Sequence, residues 1–231
     1  MSGCFYGVGV GTGDPELLTL KAVRLIQSAD IICYLKTESG QSLARDIASQ
    51  WIDKQTELPI HMPPMSIQRE QIKQAYDQAA IAIAKQLEHG KQVAFLCEGD
   101  PFFFGSYIYL YQRLSKNYHC QSIAGISSIH ASSALAGIPL VQQNDSLAVL
   151  SSRNSDQELR YALENFASVV IMKAGKHRQR IIKLIQQSKR EKDSCYIERA
   201  GQKHEKVEHN INNLTQENGD YFSLFLIVKN R

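Results

Sequence analysis

Apolar residues along the chain fall into short runs separated by longer stretches of helical period, and the runs and stretches alternate. Cys4-Phe5-Tyr6 opens a strand that runs into Gly7-Val8-Gly9-Val10-Gly11-Thr12-Gly13, with glycine at every second position. Asp14-Pro15 follows, with apolar residues at Leu17, Leu20, Val23, Leu25 and Ile26. Asp14 suits a helix N-cap and Pro15 the first helical position, where a missing N–H costs nothing. The spacing therefore predicts strand, glycine loop and helix, with the loop at the carboxyl end of the strand where α/β sheets bind ligands. Further strands are predicted at Ile31–Leu35, Glu57–His61, Gln92–Cys97 and Cys120–Ala124. Between them lie a short helix at Ser42–Trp51, a long one from about Ile67 to His89 closed by Gly90, and one ending at Asn117. Strict alternation of strand and helix predicts a largely parallel sheet.

Beyond Gly137-Ile138-Pro139 the runs Ser146–Leu150, Val169–Met172, Cys195–Ile197 and Phe222–Val228 read as strands, with helices at about 157–165 and 177–189. The alternating stretch Glu205–His209 fits a short antiparallel strand. The pattern gives an α/β fold of two α/β domains, 1–138 and 139–231, with no internal repeat or heptad run.

At 231 residues each domain can bury a core. No run of about 18 apolar residues exists to span a membrane, and the N-terminus lacks a basic-then-apolar signal pattern. The five cysteines show no Cys-x-x-Cys pair, and four sit in apolar runs, as reduced buried thiols do. A cytoplasmic setting is expected. The net charge is +3, but residues 139–231 hold 15 Lys and Arg against 11 Asp and Glu, while residues 1–138 hold 11 against 12. The basic half suits an acidic ligand or a solvated face. No arginine stripe interleaved with aromatics supports nucleic-acid binding, and the histidines lack metal-ligand spacing.

The glycine loop departs from the dinucleotide fingerprint Gly-x-Gly-x-x-Gly: Thr12 stands third after Gly7 and Gly9, and Asp14 after Gly9 and Gly11. Asp14 at a helix start also repels a pyrophosphate, and no Gly-x-x-x-x-Gly-Lys-Ser/Thr loop is present. The glycines thus admit close backbone approach to a ligand without phosphate, or else form a tight corner. Two further loops follow strands, Glu98-Gly99-Asp100-Pro101-Phe102-Phe103-Phe104-Gly105-Ser106 and Gly125-Ile126-Ser127-Ser128. Asp100 taken alone reads equally as a cap for the next helix. Tyr107, Tyr109 and Tyr111 are spaced wrongly for one helical face and read as packing.

Taken together, Gly9-Val10-Gly11-Thr12-Gly13-Asp14-Pro15-Glu16-Leu17-Leu18-Thr19, Gly99-Asp100-Pro101-Phe102-Phe103-Phe104-Gly105 and Gly125-Ile126-Ser127-Ser128 resemble the tetrapyrrole methylases in order and spacing. The resemblance covers nearly the whole chain. It is closest to the members that methylate C20 of precorrin-2 or its cobalt form, through Tyr34-Leu35-Lys36, Gly40-Gln41-Ser42-Leu43-Ala44, Met62-Pro63-Pro64-Met65, Asp145–Leu150, Tyr196-Ile197-Glu198-Arg199-Ala200 and Tyr221-Phe222-Ser223-Leu224. Thr12, Ala124 and Leu35 stand where relatives carry proline, and Phe104 where they carry tyrosine.

The resemblance implies an S-adenosylmethionine-dependent C20-methyltransferase of cobalamin synthesis, a homodimer with the cofactor in a trough between two domains. Thr12, Gly99, Asp100, Phe103, Ser127, Ser128, Met172, Lys173 and Ala200 would meet the cofactor. Lys36, Arg199 and His130 would meet the tetrapyrrole, whose eight carboxylates call for cations. Arg153, Lys176, His177 and Arg178 are further cations within reach, and Glu98 is a base candidate only by adjacency. Alternatives are another methylase of the family, acting on a different corrin position or on uroporphyrinogen III, and a nucleotide-binding oxidoreductase.

Overall fold

The computed structural model describes residues 3–63 and 69–229 and divides the chain into two compact units, Met1–Ser127 and Ser128–Arg231. The division precedes the expected joint near 138 by one helix. Pro64, Met65 and the start of the predicted long helix at Ile67 lie outside the described residues.

In the first unit strands and helices follow as β1 (Cys4–Gly9), α1 (Leu20–Ser28), β2 (Ile31–Lys36), α2 (Leu43–Ile47), β3 (Thr56–His61), α3 (Arg69–Glu88), β4 (Val93–Cys97), α4 (Tyr107–Leu114) and β5 (His119–Ile123). Every strand pair is parallel, in the order β3-β2-β4-β1-β5. Alternate residues of one strand feed two cores. Phe5 joins Phe95, Tyr107 and Leu110 under α3 and α4, while Val8 and Val10 join Ala22, Ile26 and Ile47 under α1 and α2. A sheet buried on both faces explains the nearly unbroken apolar strands.

The first helix corrects one expectation. Asp14 and Pro15 open only a 3-10 turn, Pro15–Leu17, in which Asp14 accepts from the Glu16 amide at 2.9 Å. The α-helix starts at Leu20, capped by the Thr19 hydroxyl on the Ala22 amide at 3.2 Å. Leu20 points outward, 90% exposed. A Thr cap five residues later, with apolar Ala22 and Ile26 facing the sheet, outweighs the Asp-Pro signal.

The second unit runs α5 (Ser128–Ala136), β6 (Leu147–Ser151), α6 (Asp156–Asn165), β7 (Ser168–Met172), α7 (Arg178–Gln187), β8 (Ser194–Glu198), β9 (Lys206–Glu208) and β10 (Ser223–Val228). Its sheet has the order β6-β7-β10-β8-β9, and only β6–β7 is parallel. Parallel pairing therefore does not extend through the chain as strand–helix alternation predicted. No α-helix separates β8, β9 and β10, and β8 takes both of the others as antiparallel neighbours. Leu159, Leu163, Ile181 and Ile185 of α6 and α7 pack on Val169, Ile171, Tyr196 and Phe225. Helix α5 lies against β8, which accounts for its place in this unit.

Candidate active site

Helices α1 and α4 leave the neighbouring strands β1 and β4 toward opposite faces of the first sheet. Such a divergence opens a crevice at the carboxyl ends, the usual ligand position in α/β sheets. Here the crevice is bridged by backbone. The Gly99 amide donates to the Gly11 carbonyl at 2.7 Å and the Val10 amide to the Cys97 carbonyl at 2.9 Å. A Cβ on Gly9 would come within 2.6 Å of the Gly99 oxygen and the Gly125 nitrogen, and one on Gly125 would strike the Gly99 oxygen. Three loops interlock at this point because none carries a side chain there.

Asp100 joins the second loop to the third. Its Oδ1 accepts from the Phe102 amide at 2.9 Å and its Oδ2 from the Gly125 amide at 3.1 Å. It does not cap α4, which starts at Tyr107 after Ser106. Thr12 and Ser127 are buried in the same loops, and the Ser127 Cα lies 3.8 Å from where a Gly99 Cβ would stand. Phe103 is half-buried and edge-on to Phe104 at 5.2 Å. The first unit thus gathers Thr12, Gly99, Asp100, Phe103 and Ser127 in one place; Glu98 beside them is exposed. Of the three tyrosines, Tyr107 is core and touches Tyr111 across one helical turn, whereas Tyr109 is half exposed and packs on Tyr76.

Lys36 ends β2, on the far side of β4 from β1. It lines a groove of about 640 Å³ with Tyr34, Gln41, Ser42, Arg45 and Glu57. Arg45 donates to Glu57 from Nε at 3.2 Å and Nη2 at 2.9 Å, and this guanidinium holds the carboxyl below its ordinary range. The Tyr34 hydroxyl donates to Glu57 at 2.5 Å; burial, then that carboxylate, push it up to about 12.

In the second unit Ser128 is the first residue of α5, and His130, two residues on, is exposed. The other candidates gather where β10 begins between β7 and β8. The Ala174 amide donates to the Ser223 carbonyl at 3.1 Å and the Arg199 amide to the Phe222 carbonyl at 2.7 Å. Lys173 and Arg199 follow the two flanking strands and both adopt left-handed backbone, with φ of 57° and 54°. Such a conformation costs a non-glycine residue of order 1 kcal/mol and persists only where its surroundings impose it. For Lys173 one such constraint is the Ser152 hydroxyl, which donates to its carbonyl at 2.6 Å. Met172 and Ala200 are buried beside them and Arg199 is exposed. Nearby, Arg180 donates to the Ser152 and Asn154 carbonyls at 2.8 and 2.7 Å. Burial, then Arg180, Lys176 and Arg153, depress the His177 imidazole below its ordinary value.

Sequence reasoning passed over Asp220, which meets Arg199 from 21 residues away, and Glu198, which adjoins Arg199 in the Tyr196–Ala200 motif. A lone acid between Gly219 and Tyr221 carries no spacing signal.

Residues 4–214 match the profile of the Tetrapyrrole (Corrin/Porphyrin) Methylases. The chain belongs to that family. It is 34% identical to the precorrin-2 C(20)-methyltransferase of a Sinorhizobium species, over 97% of this chain and 95% of that one. It is 33% identical to the cobalt-precorrin-2 C(20)-methyltransferase of Salmonella typhimurium, over 81% of this chain and 80% of that one. The uroporphyrin-III C-methyltransferase of Thermus thermophilus, solved with S-adenosylhomocysteine, shares the fold with a TM-score of 0.68 at 21% identity, covering 98% of each chain. Tetrapyrrole methylases take their methyl group from S-adenosylmethionine. The loops suit that molecule: they bury two hydroxyls, those of Thr12 and Ser127, and carry the Asp100 carboxylate. Membership of this family leaves the oxidoreductase alternative without support. Among the described residues no helix is long and apolar enough to cross a membrane.

Proposed function

We propose that this tetrapyrrole methylase transfers a methyl group from S-adenosylmethionine to C20 of precorrin-2 or cobalt-precorrin-2 in cobalamin synthesis. The observation that carries the reading is the 34% identity to a precorrin-2 C(20)-methyltransferase over 97% of this chain and nearly all of the relative. Thr12, Gly99, Asp100, Phe103 and Ser127 in the first unit, and Ser128, Met172, Lys173 and Ala200 in the second, are the proposed cofactor residues. When bound, S-adenosylmethionine supplies an electrophilic methyl on a good leaving group. The chain's task is then alignment and exclusion of water rather than activation. The interlocked glycine loops, bonded backbone to backbone, make a rigid floor for alignment, with Asp100 holding two of them in register. Lys36, Arg199 and His130 are proposed to meet substrate carboxylates. The active species is proposed to be a homodimer, as the family resemblance implies, and its setting cytoplasmic, in keeping with five cysteines that are all free thiols.

The test is methyl transfer to precorrin-2 and to its cobalt form, side by side, read by product mass and by NMR with labelled donor. One methyl added at C20 supports the reading, and the preferred substrate distinguishes the metal-free from the cobalt route. Turnover only of uroporphyrinogen III, or methylation at another carbon, would overturn the substrate while leaving the family.

A further inference from the structure

Beneath the 215–220 segment of the second unit lies a buried charged cluster. The Arg178 and Glu198 side chains are 8% and 12% exposed, with Nη1 and Oε1 3.6 Å apart. The same Glu198 oxygen accepts from the Tyr196 hydroxyl at 2.8 Å and from the Asp220 amide at 2.9 Å. Arg178 Nη2 donates to the Thr215 hydroxyl at 3.0 Å, to the Thr215 carbonyl at 3.2 Å and to the Glu217 carbonyl. Two glycines let the segment settle onto this cluster. A Cβ on Gly219 would strike the Tyr196 hydroxyl and lie 2.6 Å from Glu198, and one on Gly175 would strike the Asp220 carbonyl. A buried ion pair returns little net stability for its desolvation cost, so its more telling effect here is to specify one position for Asp220.

Asp220, so placed, presents Oδ2 to Arg199, 2.7 Å from Nε and 2.6 Å from Nη2. Its Oδ1 is taken by the Phe222 amide at 2.8 Å, so the carboxylate cannot turn away. One edge of the guanidinium is thereby occupied. The other edge, Nη1 with Nη2, has no further partner among the described residues, and the side chain is 45% exposed. A guanidinium held this way has already lost rotamer freedom that a free arginine would lose on binding, and its open fork matches a second carboxylate.

We propose that Asp220 is a positioning residue: it orients the free edge of Arg199 toward a carboxylate of the substrate, and the Arg178–Glu198–Tyr196 cluster holds Asp220 in place. This rests on the reading that the chain binds a polycarboxylate tetrapyrrole through Arg199. Asp220→Asn keeps the acceptor for Phe222 and removes the charge facing Arg199. Its dissociation constant for precorrin-2, titrated by absorbance in the presence of S-adenosylhomocysteine, is expected to rise about tenfold. Its S-adenosylhomocysteine affinity and Tm should stay at wild-type values, the latter within about 2 °C, because a half-exposed pair contributes little to stability. Asp220→Glu should recover part of the affinity, and in an Arg199→Met background Asp220→Asn should have no further effect. Unchanged tetrapyrrole affinity in Asp220→Asn, an effect that persists without Arg199, or a parallel fall of both affinities and Tm would overturn the proposal. A wild-type protein that binds no tetrapyrrole would instead overturn the reading on which it rests.

Discussion

The two strand ends that carry the candidate ligand residues are built by opposite means. In the first unit the loops after β1, β4 and β5 touch backbone to backbone at Gly9, Gly99 and Gly125, and the lack of side chains makes the contact possible. In the second unit the turns after β7 and β8 hold lysine and arginine in a conformation that glycine would adopt freely, constrained by Ser152, the β10 carbonyls and Asp220. A backbone lattice cannot yield to an added atom, whereas a side-chain network can lose one member and keep its shape. The first end should fail abruptly under substitution and the second by degrees.

The sharpest break of this contrast is Gly125→Ala. With its Cβ driven into the Gly99 oxygen, S-adenosylhomocysteine binding should fall by more than about 100-fold, or the first unit should not fold. Calorimetric titration and thermal melting read the two outcomes. Gly40→Ala is the control. Gly40 has positive φ, 80°, as Gly125 does not, and a Cβ there meets nothing within 4 Å, so a cost of only about 1 kcal/mol is expected. Equal damage from both variants would mean that the close contact at Gly125 is not what makes that glycine necessary.

In the second unit Glu198→Ala strands the buried Arg178 charge and should cost about 3 kcal/mol in denaturant unfolding. A loss under about 1 kcal/mol would show that water reaches the cluster and that it does not fix the segment above it. Ser127→Ala tests a side chain inside the backbone lattice. Roughly 1 kcal/mol of cofactor affinity, a fall of about fivefold, should go with the hydroxyl while Tm holds. No change in affinity would remove Ser127 from the proposed cofactor contacts.

The smallest expected effect is on pH dependence. The folded His177 value lies below the ordinary imidazole value because of burial and then Arg180, Lys176 and Arg153, so the folded state binds fewer protons than the unfolded one. The stability linked to this group is complete above the ordinary value, about 6.5, and is lost as pH falls from there toward the folded value. Wild-type Tm should therefore drop more between pH 7.5 and about pH 5.5 than that of His177→Gln. Identical slopes would show that His177 titrates as a free imidazole.

Much of the architecture was legible in the chain. Period-two and period-3.6 apolar patterns, punctuated by Gly90 and Gly137, place most strands and helices within a residue or two of where they lie. The start of α1 was misplaced because Asp14-Pro15 and Thr19 both resemble helix starts, and only packing of Ala22 and Ile26 on the sheet selects the second. The mixed second sheet was missed because pairing direction depends on how β8, β9 and β10 return, which no local pattern encodes.

By itself the sequence determined the family, through three glycine-bearing loops in order and spacing, and determined where backbone could approach backbone, since glycine is a local property. Only the tertiary structure decided that Asp100 clasps Gly125 and that Asp220 and Glu198 stand behind Arg199. Those pairings join residues 21 to 25 positions apart through loops of no fixed period. A carboxylate's partner is set by which strand ends the sheet order brings side by side, and that order exists only once the sheet has formed.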